Sequence, residues 1–269
     1  MAARELCHLQ HFLLDMDGTV YLGPDPIPGA PAFIRYLEES GRDYLFFTNN
    51  PSADAQQYSR KLAGMGIDAP PERILTSGEA TVRYLQSETP FRRLYVLGTP
   101  SFEGELEAAG FDLRSAEPET VVLAFDKTLT YEKLERACLL LNEGLPYIAT
   151  NPDMVCPTEY GYIPDCGAMA ALFEAATGRV PRFIGKPNAE MVRMGLQKLG
   201  ATTETTAMVG DRLYTDMQMA YNAGITSILV YSGEAKPGDE LKVERRPDFC
   251  FASVARLQEA LETLDARIG

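Results

Sequence analysis

Phe12-Leu13-Leu14-Asp15-Met16-Asp17-Gly18-Thr19 is the stretch on which the reading of this chain turns. Three consecutive apolar residues read as a strand buried on both faces. The strand runs straight into two carboxylates placed two residues apart, and Gly18 then permits a sharp change of backbone direction. Open α/β sheets gather their ligands at the carboxyl ends of strands. Two like charges buried side by side are costly unless they share a cation. Taken alone, the same residues also read as a strand followed by an acidic turn.

The pattern repeats outward from this point. Short apolar runs predict strands at 44–47, 94–97, 121–125, 147–149, 183–184, 207–209 and 227–230. Helical spacing lies between them. Phe33, Ile34 and Leu37 share a face before Gly41, and Leu134, Cys138 and Leu141 do so before Gly144. Leu257, Leu261 and Leu264 follow Ser253, a good N-cap. Uniformly apolar strands alternating with helices predict an α/β fold, a parallel sheet with helices on both faces. The Pro/Gly-rich stretches at 23–31, 69–72 and 233–238 are too short for flexible linkers. The middle of the chain, residues 78–181, alternates strand and helix on its own account and predicts a second core inserted through short connections.

The chain of 269 residues carries a formal net charge of −13, which disfavours nucleic-acid partners. An anionic small molecule would still need local positive potential from a metal ion, a lysine or helix N-termini. Cys7, Cys138, Cys156, Cys166 and Cys250 are widely spaced and odd in number, and read as reduced thiols. The only histidines, His8 and His11, lie near the start, so acid–base chemistry falls to carboxylates. No apolar run approaches the ~20 residues of a membrane span, and residues 1–5 show no apolar signal core. A cytoplasmic protein with no membrane partner is the expectation.

Three further clusters follow predicted strands. Thr48-Asn49-Asn50-Pro51 offers a hydroxyl, amides and a helix start suited to a phosphate oxygen. Gly185-Lys186-Pro187 places a lysine where it can act as a point charge on a phosphoryl group. Gly210-Asp211-Arg212-Leu213-Tyr214-Thr215-Asp216 adds carboxylates suited to Mg²⁺, a hard cation with oxygen ligands. Each alone has an ordinary explanation as a cap, a turn or a surface lysine. Four such clusters, each behind a buried strand, point to one site.

In this order and context the four clusters resemble the motifs of the haloacid dehalogenase-like superfamily. The long insertion between the second and third resembles the large α/β cap of the branch containing UMP/nitrophenyl, pyridoxal and phosphoglycolate phosphatases. Asn151-Pro152-Asp153 supports that branch, and Pro164-Asp165-Cys166-Gly167 is similar to its Pro-Gly-x-Gly stretch, with Asp165 replacing the first glycine. The resemblance implies a Rossmann-like core at 1–77 and 182–269 and a substrate-specificity cap at 78–181. It implies a Mg²⁺-dependent phosphatase of small phosphomonoester metabolites, such as sugar phosphates or nucleoside monophosphates. Asp15 is then the nucleophile that forms an aspartyl-phosphate, and Asp17 the general acid and base. Thr48 and Asn49 bind the phosphoryl group and Lys186 neutralises it. Asp15, the Asp17 backbone carbonyl and Asp211 hold the metal, with Asp216 orienting a bound water. Related capped enzymes often dimerise, so a homodimer enters by resemblance alone.

Two other readings stay open at this level. One is a catalytically silent binding protein that keeps the fold. The other is C–halogen or C–P hydrolysis in the same superfamily, against which Asp17 argues. A second aspartate stretch, Asp126-Lys127-Thr128-Leu129-Thr130, resembles the phosphorylation motif of P-type ion pumps, with Leu129 in place of glycine. Thr128 occupies the place where a phosphatase needs its acid–base carboxylate, so Asp126 is expected to end a cap strand, with Thr130 or a neighbour starting a helix. The segment 151–164, read as a long loop with Asp153, Cys156, Glu159 and two tyrosines, is the expected reader of the substrate through Cys156.

Overall fold

The computed structural model describes residues 6–158 and 161–268; residues 1–5, Glu159 and Tyr160, on all of which the sequence reading touched, lie outside them. The chain forms two compact units. One comprises the chain up to Thr48, Tyr58–Leu75 and the chain from Pro187; the other comprises Asn49–Gln57 and Thr76–Lys186.

The first unit is built on a six-stranded sheet in the order Phe249–Phe251, Thr226–Val230, Thr206–Gly210, His11–Asp15, Asp43–Thr48, Ile74–Thr76. Leu13 pairs with Met208 on one side and Leu45 on the other, both in parallel register. Thr226–Val230 and Phe249–Phe251 extend the sheet, again in parallel. Phe12, Leu13 and Leu14 are all fully buried, as are Leu45, Phe46 and Phe47. Successive strand residues face opposite sides, so burial of every one means that both faces of the sheet are covered. The first strand lies in the middle of the sheet. From it the chain builds outward to Asp43–Thr48 and Ile74–Thr76, and the later strands fill the other side. The order therefore reverses between His11–Asp15 and Thr206–Gly210, which is where open α/β sheets form a crevice.

The helix Ala30–Glu39 buries Phe33, Ile34 and Leu37, as their spacing predicts. It packs against Val254–Ile268, which buries Leu257 and Leu261 and leaves Leu264 half-buried. Tyr36 of the first helix and the buried Arg42 just beyond it both donate to Asp265 of the last helix, each at 2.6 Å. Two strands of this six-stranded sheet escape the sequence reading. Ile74–Thr76 and Phe249–Phe251 lie at the sheet edges and are three residues long, too short to display a period.

The second unit has its own four-stranded parallel sheet, ordered Arg182–Phe183, Tyr147–Ala149, Thr120–Leu123, Leu94–Leu97. The helices Tyr131–Asn142 and Cys166–Thr177 close a core of Val121, Leu123, Phe125, Leu141 and Phe173. Within 151–164 the structure differs from the expected loop. Val155–Thr158 and Gly161–Pro164 pair as an antiparallel hairpin with Cys156 opposite Ile163. Cys156 and Ile163 pack against the core while Tyr162 is exposed, the alternation of a half-covered ribbon. Pro157 and Pro164 argue against strand in the sequence, but a two-stranded ribbon has only edges and tolerates them. Among the described residues no helix is long and apolar enough to cross a membrane.

Candidate active site

The strand ends flanking the reversal point carry the acidic cluster of the first unit. Asp15 closes the strand His11–Asp15, and Asp211 follows Gly210, the last residue of the neighbouring strand. Asp216 returns to the same place. One carboxylate oxygen from each of Asp15, Asp211 and Asp216 lies within 4.8 Å of the other two, and all three residues are buried. The return of Asp216 depends on local backbone geometry. Leu213–Met217 forms a π-helical turn before the helix Gln218–Ala223, a feature that recurs at functional sites. The widened turn lets Asp216 accept the backbone N–H of Arg212 at 3.1 Å. Gly210 makes room, since a Cβ there would lie 2.4 Å from that of Asp216.

Gly18 is demanded twice over. Its φ is +90°, and a Cβ on it would meet an Asp211 oxygen at 2.3 Å. Asp17 stands two residues from Asp15 as expected, but its side chain is not part of the three-carboxylate group. Its charge is felt instead by Tyr21 and Lys61. Burial first, then the charges of Tyr58, Asp17 and Asp15, push the Tyr21 phenol far above its ordinary range. The Lys61 ammonium lies 3.7 Å from the centre of the Tyr21 ring. Burial lowers its pKa, and the Asp17 charge opposes that shift.

Arg212 adds a cation to this acidic group. Burial pulls its pKa down, but the charges of Asp15, Asp216 and Asp211 outweigh burial and the net direction is upward. Three buried carboxylates gathered this closely are the kind of group that a divalent cation stabilises. The donor set is all oxygen, as Mg²⁺ prefers. The sequence reading gives Asp216 the orienting of a metal-bound water and gives Arg212, Tyr21 and Lys61 no part. The proximity of Asp216 depends on the π turn, which has no sequence signature; the tyrosine and lysine belong to no motif.

Thr48 ends the strand Asp43–Thr48, next to the first strand in the sheet, and is buried. In the second unit the structure brings Asn49 and Lys186 together. The Asn49 side chain donates to the Lys186 carbonyl at 3.0 Å and accepts the Lys186 N–H at 2.8 Å. Gly185 is required for this lock, because a Cβ there would lie 2.6 Å from the Asn49 amide oxygen. Lys186 is only 3% exposed. Cys156, on the hairpin of the same unit, has its sulfur 3.9 Å from the Asn50 side-chain nitrogen. Asp165 caps the helix Cys166–Thr177 by accepting the Cys166 N–H at 2.6 Å, in extended backbone that needs no glycine. Gly167 is fixed by the approach of the Pro152 carbonyl, 2.1 Å from where a Cβ would stand.

Asp126, the second aspartate that follows a strand, is bound quite differently. One carboxylate oxygen accepts the N–H and hydroxyl of Thr128, at 2.7 and 2.6 Å. The other accepts Lys133 Nζ at 2.8 Å. Thr130 caps the following helix by accepting the Lys133 N–H.

Comparison with known proteins agrees with this geometry. The chain matches the family described as haloacid dehalogenase-like hydrolase over residues 12–112 and the HAD-hydrolase-like family over residues 183–257. The crystal structure of a 4-nitrophenylphosphatase from Thermotoga maritima is similar at a TM-score of 0.92 and 46% identity, covering 95% of this chain and 98% of that one. A dihydroxyacetone phosphatase of Corynebacterium glutamicum is 38% identical over 92% of this chain and 90% of its own. An acid sugar phosphatase of Staphylococcus aureus is 37% identical over 94% of this chain and 97% of its own. Likeness at this level along nearly the whole length establishes that the chain belongs to the haloacid dehalogenase-like hydrolases, in their p-nitrophenyl phosphatase branch.

Proposed function

We propose that the chain is a phosphatase that hydrolyses small phosphomonoesters, sugar phosphates foremost, through an aspartyl-phosphate on Asp15. The observation that carries this reading is the buried group of Asp15, Asp211 and Asp216 at the reversal point of the sheet. The similar phosphatases of Corynebacterium and Staphylococcus, named for dihydroxyacetone and acid sugar phosphatase activities, support the substrate class.

Asp15 attacks phosphorus with one carboxylate oxygen, and the bond to the ester oxygen breaks. Asp17 enters as the neutral acid and gives its proton to the departing alcohol oxygen. As a carboxylate it then takes a proton from the water that attacks the aspartyl-phosphate, releasing phosphate and restoring Asp15. Thr48 binds the phosphoryl group and Lys186 neutralises it, with Asn49 holding the lysine's peptide in place. Asp15, Asp211 and the Asp17 backbone carbonyl are the residues that would hold Mg²⁺, with Asp216 beside them. When bound, the ion supplies positive charge that offsets the phosphoryl oxygens. The insertion at 78–181 acts as the cap, and Cys156 on its hairpin helps to read the alcohol part of the substrate.

The test is a panel of phosphate esters with p-nitrophenyl phosphate as reference, assayed with Mg²⁺ and with chelator. Turnover that needs the metal and favours small sugar phosphates is expected. No turnover in the presence of Mg²⁺ overturns the reading.

A further inference from the structure

A fourth segment of the first unit, which no motif singled out, surrounds Asp211. It directly follows the strand Thr226–Val230, the neighbour of Thr206–Gly210 in the sheet. The Glu234 N–H donates to Asp211 Oδ2 at 2.6 Å, and the Ala235 N–H donates to the Asp211 carbonyl at 3.1 Å. Gly233 lies so close that a Cβ would fall 2.0 Å from the same Oδ2 and 2.7 Å from the Gly18 Cα. The Ser232 hydroxyl donates to the Gly18 carbonyl at 2.7 Å. The segment is itself pinned: the Glu234 carboxylate takes Tyr214 Oη at 3.1 Å and pairs with Arg212 Nε at 3.2 Å.

Residues 232–235 thus grip both acidic stretches at once, the turn after Asp15 through Gly18 and the second stretch through Asp211. A carboxylate that loses one oxygen's rotational freedom to a backbone N–H presents the other in a fixed direction. Groups that orient a metal ligand in this way typically change metal affinity about 10–100-fold when lost. We propose that residues 232–235 are a positioning cradle that sets the orientation of Asp211 and its register with the Asp15 turn, and through these the affinity of the site for a divalent cation. This rests on the reading of the aspartates as a cation site.

The test measures Mn²⁺ binding to the full-length metal-free protein, counting free Mn²⁺ by electron paramagnetic resonance. Gly233→Ala drives a methyl group into Asp211 and is expected to weaken binding by at least about tenfold. Ser232→Ala removes one hydrogen bond to Gly18 and is expected to weaken it about fivefold. Ser232→Thr keeps the hydroxyl and is expected to stay within about twofold of the wild type. Melting temperatures without metal separate positioning from folding, and the Ser232 pair decides the matter if Gly233→Ala does not fold. Folded Gly233→Ala or Ser232→Ala protein with wild-type Mn²⁺ affinity overturns the cradle alone. A lowered melting temperature with unmoved affinity also overturns it. Wild-type protein that binds no Mn²⁺ overturns the cation site and the cradle together.

Discussion

Asp15 and Asp126 each follow a short apolar strand of a parallel sheet, one in each unit, and each begins a stretch that resembles a phosphorylation motif. Their surroundings are opposite. Asp126 is 1% exposed, and its two oxygens are taken up by Thr128 and Lys133. The charge is balanced locally by Lys133, which also pairs with Glu103 at 3.7 Å, and among the described residues Asp126 belongs to no group of three candidate metal ligands. Asp15 instead shares its space with Asp211 and Asp216. The residue three further on differs for the same reason. Gly18 must be glycine because it presses on Asp211, whereas Leu129 packs against the apolar core of the second unit. A buried carboxylate whose donors come from its own turn is structural; one crowded by other carboxylates is arranged for an added cation.

The largest effect expected from this contrast is at Asp15. Asp15→Asn removes the attacking oxygen and should lower turnover by about 10³-fold or more with the fold retained. Labelled phosphate trapped on the folded variant would contradict the assignment. Asp126 should respond in stability rather than rate. Lys133→Met leaves the buried carboxylate with only the Thr128 donors, and should cost about 2–3 kcal/mol, below the full range for a buried pair because the lysine is partly exposed. Denaturant unfolding measures the cost, and turnover per folded molecule should stay within about twofold. Turnover that collapses in a folded Lys133→Met protein would make Asp126 more than structural.

Glu105 sharpens the comparison from the side of an acidic group that, among the described residues, has other carboxylates rather than a cation for neighbouring charges. Burial, followed by the charges of Asp54 and Glu79, pushes its carboxyl up to about 7. The folded state therefore holds this proton more tightly than the unfolded chain, whose ordinary value is 4.5. The stabilisation from this group is complete below the unfolded value and fades as pH rises through about 7. Glu105→Gln, which cannot ionise, should melt higher than the wild type at about pH 8 and match it at about pH 4. Equal melting temperatures at both pH values would show that Glu105 ionises freely. The smallest effect belongs to Cys156. Cys156→Phe should reorder kcat/KM among phosphate esters by a few-fold, and unchanged relative rates would remove the hairpin from substrate selection.

The central strands and the acidic stretches were legible because each rests on local facts. A run such as Phe12-Leu13-Leu14 is apolar at every position, and its polar residues begin abruptly at Asp15. The edge strands were hidden by their three-residue length, and the hairpin of Val155–Thr158 and Gly161–Pro164 by its prolines. At the site, Asp15 and Asp211 could be read from their places behind strands. The parts played by Arg212 and by residues 232–235 could not, because they depend on which strand ends are neighbours.

By itself the sequence determined the α/β class, the parallel character of the sheet and which strand ends carry chemistry. These follow from periodicity and from the cost of burying charge, both of which act over a few residues. Only the tertiary structure decided that an Asp216 oxygen comes within 4.8 Å of those of Asp15 and Asp211, that both ends of the Asn49 amide close on Lys186, and that Asp126 is neutralised by Lys133. Each of these is a meeting of side chains set by strand order and backbone turns. Distances of that kind are fixed by the packing of the whole sheet, not by the residues on either side.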